Sequence, residues 1–272
     1  MPPEVVTPGA RKSQRQHRRD MCIVGRWIHG RAFVAATDGN ISVRLDSKRI
    51  LTSPTGVSKG LMTPRDMVIT DLQGKKLAGT REPSSELAMH LLIYANRPDV
   101  NAVCHAHPPT ATAYAAAGLP LDRALLSELV VTLGYIPLAR YGTPGTPELS
   151  NSLKPLVKSH DAILMANHGA VTCGADLLTA FFHMETLEHF AQVSLATEVL
   201  GKQVLLSGSD VEKLAAARVR YGNTSAAPIG SNCPVTSDSP KFCVENSDLI
   251  SVTREELESL IEEAVRKDRI SR

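Results

Sequence analysis

Two histidines separated by one residue, His105 and His107, are the side chains whose type and spacing most directly indicate chemistry. Residues at positions i and i+2 of a strand project from the same face, so both imidazoles could reach one ion. His168, in a turn between two apolar segments, is a third such residue, and Gly169 beside it permits a tight backbone. Three imidazoles with one open position are typical of a catalytic zinc site. On spacing alone, hydrogen-bonded core histidines are the alternative.

A carboxylate beside such a metal is needed to move protons, and Glu86 is a candidate for it. It follows Ser84 and Ser85 at the start of a helix predicted over 84–95. Two hydroxyls and the free backbone N–H groups of a helix N-terminus suit a phosphate, and Glu86 could act as a general base. A plain helix cap, with Glu86 favourable in the first turn, is the alternative reading of the same residues.

Two turns rich in small residues lie upstream, Thr-Asp-Gly-Asn at 37–40 and Thr-Ser-Pro-Thr-Gly at 52–56. Their hydroxyls, amide and glycines can donate hydrogen bonds to phosphate oxygens. Each turn alone is weak evidence, because most turns of this composition serve only to reverse the chain.

Taken in order, these segments resemble the class II aldolase/adducin family, in particular its L-fuculose-1-phosphate aldolase branch. The resemblance runs from about residue 11 to 221. It is carried by GNISVR (39–44), TSPTG (52–56), PSSE (83–86), RPDVNAVCHAH (97–107), YGTPGT (141–146) and ANHGAVTCG (166–174). The order and separation of these motifs make the match far more specific than the histidine pair alone.

The resemblance implies that His105, His107 and His168 bind Zn²⁺ or another divalent metal. It implies that Glu86 is the catalytic acid/base and a further metal ligand when substrate is absent. Tyr221 matches a tyrosine that the family's aldolases use near the end of the domain. The residues implied to hold the substrate phosphate are Asn40, Thr55, Gly56, Ser84 and Ser85.

The implied activity is that of an aldehyde-lyase in carbohydrate catabolism. It would cleave a (deoxy)ketose 1-phosphate, such as L-fuculose or L-rhamnulose 1-phosphate, to dihydroxyacetone phosphate and lactaldehyde. The metal would act as Lewis acid and stabilise the enediolate, with Glu86 carrying the proton. The implied fold is α/β, with a largely antiparallel central sheet flanked by helices, assembled as a homotetramer with active sites between subunits.

One residue departs from the family pattern. The related aldolases place a tyrosine from the neighbouring subunit where this chain has Leu126, which leaves the proton carrier on the aldehyde side open among Tyr141, Tyr221 and water. A metal-dependent decarboxylase of a sugar acid or aromatic acid in the same fold is therefore an alternative. An adducin-like interaction module is a weaker one, because such members lack the complete histidine set.

Several elements must position these residues, and hydrophobic periodicity predicts them. Helices are predicted at 11–30, 84–95, 110–117, 177–200 and 210–221, with Gly201 as the C-cap of the fourth. Strands are predicted at 41–45, 50–53, 67–70, 100–105, 135–140, 162–166 and 170–173.

Composition excludes other classes. The 272 residues are 43% hydrophobic, so we expect a sizeable hydrophobic core. The net charge is only +2, so we expect no overall positive electrostatic field that would attract nucleic acid. No apolar run approaches the roughly 18 residues of a membrane span, and residues 1–20 lack the apolar stretch of a secretory signal. Five cysteines without a CxxC pair indicate reduced thiols in the cytoplasm.

The two ends of the chain differ from its middle. Residues 1–10 are predicted to be disordered, 11–221 to form the catalytic domain and 222–248 to be a flexible linker. An amphipathic helix is predicted within 249–272, opened by a capping box at Thr253 and Glu256. A tethered helix of this kind resembles the peptides that target enzymes to bacterial microcompartments, which predicts a shell protein as partner. Packing on the catalytic domain or a neighbouring subunit is one alternative, and membrane association, against which the acidic residues of the helix argue, is a weaker one.

Overall fold

An eight-stranded sheet lies at the centre of the structure, a computed structural model that describes residues 12–218. The strands are β1 (Asn40–Arg44), β2 (Arg49–Thr52), β3 (Val68–Asp71), β4 (Lys76–Ala78), β5 (Ala102–Ala106), β6 (Leu138–Ala139), β7 (Ala162–Met165) and β8 (Gly169–Gly174). Their order is β4-β3-β2-β1-β5-β8-β7-β6, and every neighbouring pair is antiparallel except β6 and β7. The predicted α/β fold with a largely antiparallel sheet is confirmed.

Seven helices accompany the sheet in the described part of the chain. They are α1 (Gln14–Gly30), α2 (Leu87–Asn96), α3 (Pro109–Ala116), α4 (Ser127–Thr132), α5 (Pro147–Leu153), α6 (Leu177–Val199) and α7 (Gly208–Ala217). Within residues 12–218, no helix combines the length and hydropathy that crossing a membrane requires.

Alternation along the strands buries both faces of the sheet. On β5, Ala102, Cys104 and Ala106 pack in a core shared with α1, α3 and α6, whereas Val103 packs in a second core shared with α2 and α5. His105 has the same parity as Val103, so its ring projects to the face that α2 covers. The start of α2 therefore lies over the end of β5, which is where the site forms.

Most predicted elements exist with shifted ends, and three short elements were missed. The predicted strand 135–140 is reduced to β6, since Ile136 pairs instead with Leu121 and Pro137 has no N–H to donate. Helices α4 and α5 span 6 and 7 residues, too few for a clear period, and β4 has 3 exposed residues. Gly201, at φ +72°, follows the last turn of α6 as predicted.

Some expectations fall outside the described residues. These are the disordered start at 1–10, Tyr221, the linker at 222–248 and the helix at 249–272. They stay predictions, as does the division of the chain at these boundaries.

Candidate active site

The structure brings the three predicted histidines together. His105 lies on β5, His107 follows that strand, and His168 lies in the turn between β7 and β8. They meet because β5 pairs with β8 in a register that sets Ala106 opposite Ala170. One nitrogen from each imidazole lies within 4.8 Å of the others, and the Nε2 atoms of His105 and His107 are 3.2 Å apart.

The turn that carries His168 owes its shape to two neighbours. Asn167 takes a left-handed backbone conformation, with φ +55°. Gly169 is needed for space, because a Cβ there would lie 2.5 Å from the His107 ring and 2.7 Å from the Ala106 carbonyl oxygen. The tight backbone expected at Gly169 is therefore present, and its cause is the close approach of His107 and of Ala106 at the end of β5.

The histidines fit a divalent metal ion. The His105 Nδ1–H donates to the Ala170 carbonyl at 2.9 Å, which leaves the lone pair of Nε2 free for a ligand. The 3.2 Å between the two Nε2 atoms is close to the about 3.4 Å that separates nitrogens on one tetrahedral zinc ion. Burial, together with the charges of His105 and His168, lowers the pKa of His107 to about 4, so its ring is neutral near pH 7.

Glu86 closes this cluster from the start of α2. Its Oε2 lies 3.2 Å from His105 Nε2, and its Oε1 lies 3.1 Å from His168 Nε2. Burial alone would raise the pKa of Glu86, but the neighbouring imidazoles of His105 and His168 outweigh it and hold the pKa below its ordinary range. Among the described residues Oε1 still lacks a hydrogen bond of acceptable geometry, so a bound cation would satisfy it.

The helix predicted over 84–95 begins later than expected, which corrects the role of its first residues. Glu86 is the N-cap residue, and the helix proper starts at Leu87. The Ser84 hydroxyl accepts from the Glu86 backbone N–H at 3.3 Å, and the Ser84 carbonyl accepts from Leu87 at 3.1 Å. Two N–H groups expected to be free for a phosphate are thus already used, because the chain turns here before the helix starts.

A directed chain of hydrogen bonds supports Glu86 from below. Asn40 Nδ2 donates to Glu86 Oε2 at 2.9 Å, so Asn40 Oδ1 faces His90 Nε2 and accepts from it. His90 Nδ1 must then accept from the Ser42 hydroxyl at 2.7 Å, which in turn accepts from the Tyr94 hydroxyl at 2.8 Å. All four hydrogen bonds therefore run in one direction, from the Tyr94 hydroxyl through Ser42, His90 and Asn40 to the Glu86 carboxylate, if each is followed from donor to acceptor.

His90 is the central link of this chain, and the sequence interpretation missed it. Burial, with a further contribution from the charge of His105, lowers its pKa to about 3, so the ring is neutral and can both donate and accept. A signal was available: His90 lies four residues after Glu86 on α2, the spacing that places two side chains on one face of a helix.

The predicted phosphate residues line one cavity with the metal cluster. The cavity is bordered by both small-residue turns and by Glu86, His107 and His168, and its lining includes Asn40, Thr55, Gly56, Ser84 and Ser85. A bridge between Pro54 and Pro83 holds the second turn against the start of α2. Asn40 was expected to donate to the phosphate, but one of its two amide hydrogens already donates to Glu86, so at most the other can reach a phosphate.

Two further charged residues line the cavity and were not singled out from the sequence. Asp38 has a carboxylate oxygen 3.6 Å from His107 Nδ1. Lys59 is 1% exposed, and its Nζ donates to the carbonyls of Thr37 and Val57 at 2.8 and 2.7 Å. Spacing gave no signal for Lys59, because its role depends on how two distant turns meet.

No tyrosine is among the described residues that line the cavity. Leu126 caps the start of α4 and packs against the hydrophobic core, and the side chain of Tyr141 is exposed. The described residues therefore do not identify the group that carries the proton on the aldehyde side, and the alternatives named from the sequence stand.

The fold and this site together define a lyase of the class II aldolase type, a metal-dependent class of enzyme. The chain belongs to the class II aldolase and adducin family: the family model described as "Class II Aldolase and Adducin N-terminal domain" matches residues 19–195. This confirms the resemblance carried by the motifs.

Individual relatives agree on the family but differ in reaction. The chain is 32% identical over 209 residues to a 5-deoxy-D-ribulose 1-phosphate aldolase of Bacillus thuringiensis serovar kurstaki, covering 76% of this chain and 97% of the relative. It is 33% identical over 177 residues to a 3-oxo-tetronate 4-phosphate decarboxylase of Haemophilus influenzae, covering 64% and 84%. A solved L-fuculose 1-phosphate aldolase superposes with a TM-score of 0.71 at 28% identity, covering 79% of this chain and all of that one.

Proposed function

We propose that this protein is a zinc-dependent aldolase that cleaves a deoxyketose 1-phosphate to dihydroxyacetone phosphate and an aldehyde. The observation that carries the proposal is the position of Glu86. Its carboxylate touches two of the three histidines and also lines the cavity formed by the predicted phosphate turns. One group is thus placed to move a proton on a substrate whose phosphate lies in those turns.

His105, His107 and His168 would hold the metal, and the donor set of three imidazoles with one open side favours zinc. When bound, the ion supplies Lewis-acid polarisation of the substrate's carbonyl and neighbouring hydroxyl oxygens. The sheet register fixes the three rings in advance, so the site requires little rearrangement on loading.

Glu86 would protonate the carbon from which the aldehyde departs, and it would remove that proton in the condensation direction. Asn40, held by His90, keeps the carboxylate oriented during this transfer. Thr55, Gly56, Ser84 and Ser85 would hold the phosphate and so position the reacting bond. Tyr221 would serve the leaving aldehyde.

The substrate is proposed at the level of a deoxyketose 1-phosphate. L-Fuculose and L-rhamnulose 1-phosphates would release lactaldehyde, and the similarity to the Bacillus aldolase adds 5-deoxy-D-ribulose 1-phosphate as a candidate substrate. Cleavage of that five-carbon substrate leaves acetaldehyde beside the same three-carbon phosphate.

A metal-dependent decarboxylase is the second proposal. The Haemophilus relative supports it, and so does Leu126, which takes the place of the tyrosine expected in an aldolase. A decarboxylase also needs a proton at the carbon that loses its substituent, and Glu86 could supply it. The leaving group is carbon dioxide, which needs no proton, so the absence of that tyrosine would cost nothing.

Two assembly proposals accompany the catalytic one. The protein is proposed to form a homotetramer with active sites at subunit interfaces. Residues 249–272 are proposed to direct it to a microcompartment shell protein within the cytoplasm. Deleting 249–272 should leave catalysis intact and abolish co-localisation with shell proteins, whereas dissociation of the oligomer on deletion would contradict the targeting role.

Product analysis on the zinc-loaded full chain tests the catalytic proposal. The three ketose phosphates and 3-oxo-tetronate 4-phosphate are supplied separately, and dihydroxyacetone phosphate and carbon dioxide are measured in each case. Release of dihydroxyacetone phosphate from a ketose phosphate is the expected result. Carbon dioxide release from the tetronate alone would replace the aldolase by the decarboxylase, and neither product with zinc bound would contradict both.

A further inference from the structure

Lys59 is a buried cation that the catalytic steps above do not use. Lysine is almost never fully buried without partners, yet this side chain is 1% exposed. Burial lowers its pKa to about 8 even though the charges of Asp38 and Glu86 act in the opposite direction. Burying an ammonium costs free energy of desolvation, so a role in function would explain its position.

The ammonium joins the two phosphate turns. It donates to Thr37 at the start of the first turn and to Val57 just after the second, through backbone carbonyls at 2.8 and 2.7 Å. The backbone of Lys59 packs closely against α1, since a Cβ at Gly25 would lie 2.5 Å from the Lys59 carbonyl oxygen. Lys59 thus adds a link between the two turns beyond the pairing of β1 with β2.

The charged side chains that line the cavity also indicate a role for Lys59 in binding an anion. Lys59 is the only lysine or arginine among the described residues that line it, whereas Asp38 and Glu86 contribute carboxylates. An ammonium has three donors, and within the described chain two are used by carbonyls. Among the described side chains that line the cavity, a dianionic phosphate would meet two carboxylates and no lysine or arginine other than Lys59.

We propose that Lys59 is the electrostatic anchor of the phosphate subsite, spacing the two turns and donating its remaining N–H to the phosphate of the substrate. The inference rests on the proposed function only in placing a phosphate in this cavity. It extends that function by assigning phosphate selectivity to one buried charge rather than to the hydroxyls and backbone groups alone.

The test compares binding of glycerol 3-phosphate and glycerol to the zinc-loaded protein by calorimetry. This pair differs only in the phosphate and does not depend on which reaction the enzyme catalyses. Lys59→Met removes the charge and keeps an unbranched chain. It should weaken glycerol 3-phosphate about 10- to 100-fold, which corresponds to one charge-assisted hydrogen bond, and leave glycerol unchanged.

Three matched variants complete the design. Lys59→Arg keeps a cation and should retain most of the preference for the phosphate. Lys59→Gln keeps an N–H donor without the charge, and it carries the test if Lys59→Met does not fold. Lys48→Met removes an exposed lysine at the opposite end of β2 and should behave as the wild type.

Kinetics separate this role from a merely structural one. In the folded Lys59 variants KM for a ketose phosphate should rise with little change in kcat, at unchanged zinc content. Equal weakening of glycerol and glycerol 3-phosphate, or affinity within twofold of wild type in Lys59→Met or Lys59→Gln, would overturn the inference. A wild type that does not prefer the phosphate would overturn it too, whatever the outcome of the cleavage assay.

Discussion

The two walls of the cavity are built in different ways. On the metal wall, His105 and His168 are set by the pairing of β5 with β8, and Glu86 is held by a chain of side chains that ends at Tyr94. On the phosphate wall, the turns at 37–40 and 52–56 lie at the adjoining ends of the paired strands β1 and β2, and Lys59 and the bridge at Pro54 hold the loops beyond those strands. Sheet register and a buried hydrogen-bond network position the first wall, whereas on the second the sheet places the bases of the turns and a few further contacts hold their outer residues. Substitutions should therefore affect chemistry at one wall and substrate recognition at the other.

The largest effect is expected from removing a histidine of the metal wall. His107→Ala should lose most of the bound zinc and at least about 1000-fold in turnover, since the metal contributes several kcal/mol to the barrier. Zinc content by mass spectrometry and steady-state rates measure both. His189→Ala, an exposed histidine on α6, is the matched control and should keep metal and rate. Full zinc occupancy in His107→Ala would remove this residue from the metal site.

Glu86→Gln should come next in size. The amide keeps the shape of the side chain but cannot carry the proton, so turnover should fall at least about 100-fold while zinc stays bound. Glu82→Gln, an exposed carboxylate paired with Lys76, serves as control. A rate near that of the wild type in Glu86→Gln would show that another group moves the proton.

His90→Leu should lower turnover about 10-fold without loss of zinc. The apolar side chain leaves Asn40 and Ser42 without their partner, so Glu86 loses its orientation, and each orphaned buried group costs about 1–3 kcal/mol of stability. His90→Gln can still donate to Asn40 and should recover part of the rate. Equal rates in the two variants, measured where both are folded, would dissociate His90 from the orientation of Glu86.

The smallest effect concerns the phosphate wall and its stability. The pKa of Lys59 is lowered from 10.5 to about 8, so the unfolded chain binds more protons between these values and stability must rise with pH there. The charged groups that shift this pKa are Asp38 and Glu86. The free energy of unfolding of the wild type should gain about 1 kcal/mol relative to Lys59→Met between about pH 7.5 and 9. Urea titrations at both pH values measure it, and parallel behaviour of the two proteins would contradict a buried ammonium.

The meeting of the three histidines was predictable from the sequence because the information for it is local. The His105–His107 spacing, the turn at His168 and the apolar strands around them are each visible within a few residues, and they indicate one face of one sheet. The helix-start pattern made Glu86 a candidate, and the family motifs supplied its implied catalytic role. The same reasoning predicted a helix that begins too early, because Ser84 and Glu86 are good helix-start residues whether they cap or enter the helix.

The phosphate wall was less predictable, because its key contacts join residues far apart in the chain. Lys59 reaches back to Thr37, and on the metal wall His90 of α2 likewise reaches Asn40 and Ser42 of β1. Hydrophobic periodicity in the sequence cannot predict that a lysine becomes buried between two turns. The short α4 and α5 were missed for a similar reason, since tertiary packing rather than their own pattern stabilises them.

The most direct test of the account is hydrogen exchange into dihydroxyacetone phosphate. The zinc-loaded protein is incubated with this compound in D₂O without any aldehyde, and NMR follows deuterium at the carbon that would bond to the aldehyde. The wild type should introduce a single deuterium with one stereochemistry, exchange should require zinc, and Glu86→Gln should abolish it. No exchange by the zinc-loaded wild type, or undiminished exchange by Glu86→Gln, would contradict the claim that Glu86 moves the proton beside a histidine-bound metal.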